Sequence, residues 1–174
     1  MIQALLWLAL IPAGSSPGPS DADLRKVVIT LERHGCYGEC PIYQLRVTGD
    51  GKVSFHGAQF VQRAGNQEGT ISPEKLRKLV RAFEEAGYFS IRENYGYSGC
   101  NSRQVCATGF LNDAPSVDTS ITLRGRTHRV IHAYGCTCAP EPLFKLEHTI
   151  DEIVGTDRWV GKEKGGQWAG STAN

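Results

Sequence analysis

From Lys26 to Arg33 apolar and polar residues alternate, with Val27, Ile29 and Leu31 on one side and Val28, Thr30 and Glu32 on the other. A period of two predicts a half-buried strand. A second strand is expected from Ile42 to Val47, with Tyr43, Leu45 and Val47 sharing a face. Gly49-Asp50-Gly51 then makes a tight hairpin turn, because glycine accepts positive φ and Asp-Gly is a favoured turn pair. Val53 and Phe55 continue inward on the next strand, and a fourth strand is expected at Gln59–Arg63.

The period changes after Ser72-Pro73-Glu74. Leu76, Leu79, Val80 and Phe83 keep the i, i+3, i+4, i+7 spacing of a helix. Ser72 can cap its free amides, Pro73 suits its first turn, Glu74 complements its positive end and Gly87 fits the stop. Residues 92–116 are irregular. Val117, Thr119, Ile121 and Leu123 then alternate along a strand, and Arg124-Gly125 turns the chain into a partner strand at 127–133. Pro140 and Pro142 open a last helix with a buried stripe of Leu143, Leu146, Ile150 and Ile153, ended by Gly155. The predicted order is β-β-β-(β)-α-β-β-α. Tight turns between neighbours imply an antiparallel sheet with both helices on one face, a two-layer α+β fold.

At 174 residues the chain suits one such domain, residues 26–160, with appendages. Net charge is +1 with no run of Lys or Arg, so neither nucleic acid nor an anionic membrane surface is an expected partner. Residues 2–11, IQALLWLALI, form an apolar run too short to span a bilayer. Pro12, Ala13, Gly14 and Ser15 follow, as at a signal-peptidase site, although only Met1 precedes the run where a positive segment is usual. Residues 1–15 are therefore read as a signal peptide cut after Ser15, or alternatively after Ala22. Residues 16–25 are expected to be a linker and 161–174 a disordered tail. The mature form would carry no transmembrane segment and would be secreted or periplasmic.

Export changes the meaning of Cys36, Cys40, Cys100, Cys106, Cys136 and Cys138, an even set beyond the signal. An oxidising compartment favours disulfides. Cys36 and Cys40 are expected to form a local staple. Cys136 and Cys138 are too close to pair comfortably, so Cys100 and Cys106 should join them in either order and pin the 92–116 stretch to the 127–133 strand. A redox couple at Cys36 and Cys40 is disfavoured: three residues intervene, Glu39 opposes a thiolate, and a strand rather than a helix follows. The alternative from another class is a zinc-binding protein using His34, Cys36, Cys40, His132, Cys136 and Cys138, with His128 on the same strand face as His132. No Cys-x-x-Cys knuckle supports it.

Catalytic patterns are weaker still. Gly96-Tyr97-Ser98-Gly99 is one residue short of a nucleophile elbow and lacks the strand-to-helix setting. Glu84-Glu85 and Asp151-Glu152 read as solvated helix faces. Gly65 and Gly69 bracket no phosphate-loop lysine. No catalytic residue and no cofactor are assigned, which leaves a thiol-redox or hydrolytic enzyme as the last alternative. Tyrosines gather in the loops: Tyr95 suits cover for a sheet edge, whereas Tyr37 and Tyr97 suit recognition. With Glu39 and Arg103 they form a candidate binding set at the disulfide end. The partner class within reach of an exported domain is an envelope or extracellular protein.

The stretch Cys36-Tyr37-Gly38-Glu39-Cys40-Pro41-Ile42-Tyr43, with Gly49-Asp50-Gly51 and the Ser72-Pro73-Glu74 helix start, resembles a bacterial family of secreted or envelope proteins. That family is known as domain of unknown function 6438. The resemblance runs over residues 27–160 and includes Ile150-Asp151-Glu152 and Thr156-Asp157-Arg158-Trp159. It implies the fold and the compartment but no activity. Cys100, Cys106, Cys136 and Cys138 lie outside the family pattern and look like additions in this member.

Overall fold

The computed structural model describes residues 18–100 and 113–161. The strands are β1 (Val28–Arg33), β2 (Ile42–Thr48), β3 (Lys52–Gln59), β4 (Gly65–Thr70), β5 (Asn94–Tyr95), β6 (Ser116–Leu123) and β7 (Arg126–Ala133). The helices are α1 (Asp21–Leu24), α2 (Pro73–Glu85), α3 (Tyr97–Cys100), α4 (Glu141–Val154) and α5 (Asp157–Val160), with a 3-10 turn at Tyr88–Ser90. All seven strands join one sheet in the order β4-β3-β2-β1-β6-β7-β5. Each neighbouring pair is antiparallel except β5 with β7. The fold is α+β with a mostly antiparallel sheet.

Local chemistry explains the best-matched elements. Ser72 Oγ accepts from Lys75 N, capping α2 ahead of Pro73. Arg124 and Gly125 both take positive φ, 53° and 74°, which matches the twist of the hairpin joining β6 to β7. α4 ends at Gly155 with φ 74°, the left-handed stop expected of glycine. Ile29, Leu31, Leu45, Val47, Phe55, Ile121 and Val130 form one core with Leu79, Val80 and Phe83 of α2 and Leu143, Leu146 and Ile150 of α4.

The fourth strand differs from expectation, lying at Gly65–Thr70 rather than Gln59–Arg63. β3 runs on until Gln59 pairs with Ile42, and Phe60 at φ 54° then reverses the chain. Gln62 N and Arg63 N donate to Val160 O and Trp159 O, so that segment is tied to α5. β4, GNQEGT, carries no apolar alternation because the Trp159 indole roofs it. A Cβ on Gly69 would lie 3.2 Å from that ring, so a close approach takes the place of a buried side chain.

Three further positions depart from the expected pattern. The stretch read as linker contains α1, capped reciprocally by Ser20 and Asp23, and Leu24 enters the core. The 92–116 stretch contributes β5 and α3 to the described structure. His128 and His132, named from the sequence only as candidate metal ligands, face the helices: His132 is buried, and His128 packs edge-on against Tyr88 with its Nε2 2.8 Å from Ile91 O. Their alternation with Val130 marks the inner face of β7, since burial there is compatible with imidazole once each ring has a polar partner.

Candidate functional site

β1 ends, β2 and β6 begin, and β7 ends at one edge of the sheet, and the disulfides gather there. Cys36 and Cys40 close the loop between β1 and β2, with Cα atoms 5.7 Å apart. The loop is also hydrogen-bonded to its neighbour, His34 N to Ser116 O and Tyr37 N to Asp113 O. Cys100, at the end of α3, is bonded to Cys136, just beyond β7, with Cα atoms 5.6 Å apart. Of the pairings left open by the sequence, this bond gives Cys100 its partner, and it ties β5 and α3 to β7. Cys138 Sγ lies 3.8 Å from Cys136 Sγ. Cys106 and Arg103 fall outside the described residues.

The same edge carries the exposed large hydrophobic side chains of the described residues. Tyr37 is 90% exposed, Tyr97 66% and Phe60 38%. Glu39 is exposed beside Tyr37. Tyr95 is buried, paired through β5 with His132, and Arg92 lies over its ring.

His34, Cys36, Cys40, His132, Cys136 and Cys138 do not come together as one metal set; the cysteine sulfurs that do gather are those of Cys100, Cys136 and Cys138, within 4.8 Å of one another. Cys36 with Cys40, and Cys100 with Cys136, are joined as disulfides, and a disulfide sulfur is not the thiolate that zinc requires. His132 Nδ1 faces the Glu147 carboxylate at 3.0 and 3.1 Å beneath α4. His34 lies apart, with Nε2 3.7 Å from Asp118 Oδ1 on the open side of the sheet.

Beneath the disulfide edge is a polar cluster. Arg33, next inward after Leu31 on β1, is 0% exposed. Its Nε and Nη2 donate to Asp151 Oδ2 at 2.9 and 2.7 Å, its Nη1 to Tyr134 OH, and its Nη2 to Glu147 O. Nε also donates to Tyr43 OH. Tyr43 OH and Thr156 Oγ1 donate to Asp151 Oδ1. A buried guanidinium with a carboxylate and several oriented acceptors keeps its charge. Burial opposes that charge, yet Asp151, Tyr43 and Tyr134 hold Arg33 well above its ordinary value. Burial likewise pushes the Tyr43 and Tyr134 hydroxyls up, so both remain neutral. Burial pushes the Glu147 carboxyl above its usual range, opposed by His132 and Arg33. The cluster bolts α4 to the start of β2 and the end of β1, the two strands that launch the Cys36–Cys40 loop.

Asp151 is therefore not part of a solvated helix face, unlike the exposed Glu152 beside it. A signal was present in the chain. Arginine at the next inward position after Ile29 and Leu31 requires a buried counter-charge, and Asp151 follows the Leu143, Leu146 and Ile150 stripe at helical spacing.

The family model described as "Domain of unknown function (DUF6438)" matches residues 27–154, most of the chain. The chain belongs to the DUF6438 family. The matched region of this DUF6438 domain includes the Cys36–Cys40 loop and the Arg33, Tyr43, Glu147 and Asp151 cluster, and stops before Thr156 and α5. Among curated proteins, none matches the chain.

The side of the DUF6438 sheet away from the core is a polar hollow of about 770 Å³, lined by Glu32, Gln44, Arg46, His56, Asp118 and Arg129 among others. No described helix is long and apolar enough to cross a membrane.

Proposed function

We propose that this DUF6438 domain is an exported, non-catalytic recognition module of bacterial origin. Loops at its disulfide edge meet an envelope or extracellular protein. The observation that carries this reading is the placement of Tyr37, Phe60 and Tyr97, all exposed and all at that one edge, the first two on loops and Tyr97 at the start of α3. Tyr37 sits inside the Cys36–Cys40 loop, and Tyr97 is three residues from the Cys100–Cys136 bridge. Loops held by a covalent tie on a sheet lose little entropy on binding, and tyrosine brings contact area with few torsions to freeze. From β3 to β5 the sheet order takes five steps. At about 4.8 Å a step this row spans roughly 24 Å. A partner footprint of about 800 Å² is of that width. Disulfides favour an oxidising compartment, which supports export.

The test is a pull-down from envelope and culture-medium fractions with the exported form. Wild type is compared with Tyr37→Ala/Glu39→Ala and with Tyr97→Ala, each checked for an unchanged thermal melt. The reading expects a specific partner captured by wild type and lost from at least one variant. Equal capture by all three would place the binding surface elsewhere.

A further inference from the structure

Strand alternation sends Arg33 into the core and its neighbours Glu32 and His34 to the opposite, open face. Glu32 on β1 lies directly across from Asp118 on β6 in the antiparallel register. Two carboxylates facing each other across strands repel unless a cation lies between or beside them. His34 extends the same ladder through its backbone bond to Ser116 O, and its Nε2 lies 3.7 Å from Asp118 Oδ1. One ligand atom each from Glu32, His34 and Asp118 thus falls within 4.8 Å of the others.

The outer partners orient this trio. Gln44 Nε2 donates to Glu32 Oε1 at 3.0 Å, and Arg129 Nη2 binds Asp118 Oδ2, so the Asp118 oxygen nearest the imidazole is Oδ1. Arg129 offsets one of the two carboxylate charges. The Asp118 side chain is 13% exposed and that of His34 39%, so the group is sheltered yet reachable. Glu32 and Asp118 both line the polar hollow, which leaves one side of the trio facing open space.

We propose that Glu32, His34 and Asp118 bind a divalent transition-metal ion of the zinc class. One imidazole nitrogen with two carboxylate oxygens suits such an ion, whereas calcium takes oxygen ligands throughout. A tetrahedral ion with ligands at about 2.1 Å sets its donors about 3.4 Å apart, so closure needs side-chain shifts of roughly an ångström. Three protein ligands leave a fourth position, directed into the hollow, for water or a donor atom from a bound molecule. The site contains no cysteine, and the proposal does not depend on partner binding at the disulfide edge.

The experiment is calorimetric titration of the full, disulfide-intact chain, stripped with EDTA, using ZnCl₂ alone. One ion per chain is expected. His34→Ala and Asp118→Asn should each weaken binding by about tenfold or more, since even outer partners of a metal site contribute on that order. His56→Ala, on the same face outside the trio, should bind as wild type does. Circular dichroism checks that each variant is folded, and the half-exposed His34 can be removed with little risk to the core. The proposal is overturned by any of three results: no zinc uptake, uptake unchanged in both ligand variants, or a site that takes calcium and not zinc.

Discussion

Replacing Asp151 with Asn leaves the shape of the Arg33 cluster and removes the carboxylate that accepts from Arg33 Nε and Nη2. The Arg33 side chain is wholly buried, while that of Asp151 retains 18% exposure. Breaking a buried pair by deleting one partner costs about 3–5 kcal/mol, because the surviving charge keeps its desolvation cost. Tyr43, Tyr134 and the Glu147 carbonyl remain as dipoles around the guanidinium, and water can reach position 151. The lower end, about 3 kcal/mol, is therefore expected. With a urea dependence of about 2 kcal/mol per molar, the midpoint should fall by about 1.5 M. Urea unfolding of the disulfide-intact protein, followed by circular dichroism at pH 7, measures it. Arg33→Met combined with Asp151→Asn should cost less than the sum of the two single changes, by about 0.5–3 kcal/mol, because the double variant leaves no orphaned charge. Glu152→Gln, one residue on and exposed, should stay within about 0.5 kcal/mol of wild type. If Asp151→Asn costs no more than Glu152→Gln, the ion pair does not bolt α4 to the sheet.

Peptide mapping without reduction should give Cys36–Cys40 and Cys100–Cys136, which leaves Cys106 for Cys138; a Cys100–Cys106 peptide would contradict this. The Cys36–Cys40 bridge joins residues 4 apart and the Cys100–Cys136 bridge residues 36 apart. By chain entropy, serine in place of the second pair should cost about 4 kcal/mol against about 2 kcal/mol for the first, as read by urea midpoints. Glu147 has its carboxyl raised by burial, with His132 and Arg33 opposing, so the folded chain holds that proton more tightly than the unfolded one. Its contribution to stability is full below the ordinary glutamate value and is lost as pH rises through the raised one. Glu147→Gln keeps an acceptor for His132 and removes the titration, so its stability relative to wild type should rise as pH climbs above the ordinary glutamate range; curves that stay parallel there would refute this. Intact-mass analysis of exported protein should show a start at Ser16 and not Asp23, since a cut after Ala22 would remove the Ser20 cap of α1 and the Asp21 carboxylate that pairs with Arg77.

What the sequence alone determined was local. Alternation at Val27, Ile29 and Leu31, the helical stripe at Leu76, Leu79, Val80 and Phe83, and the turn residues at Gly49–Gly51 and Arg124–Gly125 each encode their own backbone. Period and positive φ need only a few neighbouring residues to act. The Cys36–Cys40 staple was legible for the same reason, its partners being four residues apart. Tertiary structure decided whatever joins distant segments. β4 has no hydrophobic signature because Gly69 answers to Trp159, a residue ninety positions further along the chain. Asp151 follows the α4 stripe, but its partner Arg33, 118 residues earlier, is placed beneath it only by the docking of α4 on the sheet. His128 and His132 could face either side of a strand, and only the docking of α4 and the Tyr88 turn shows that both face inward. The trio of Glu32, His34 and Asp118 needs the β1–β6 register, and register is set by the packing of the whole sheet face.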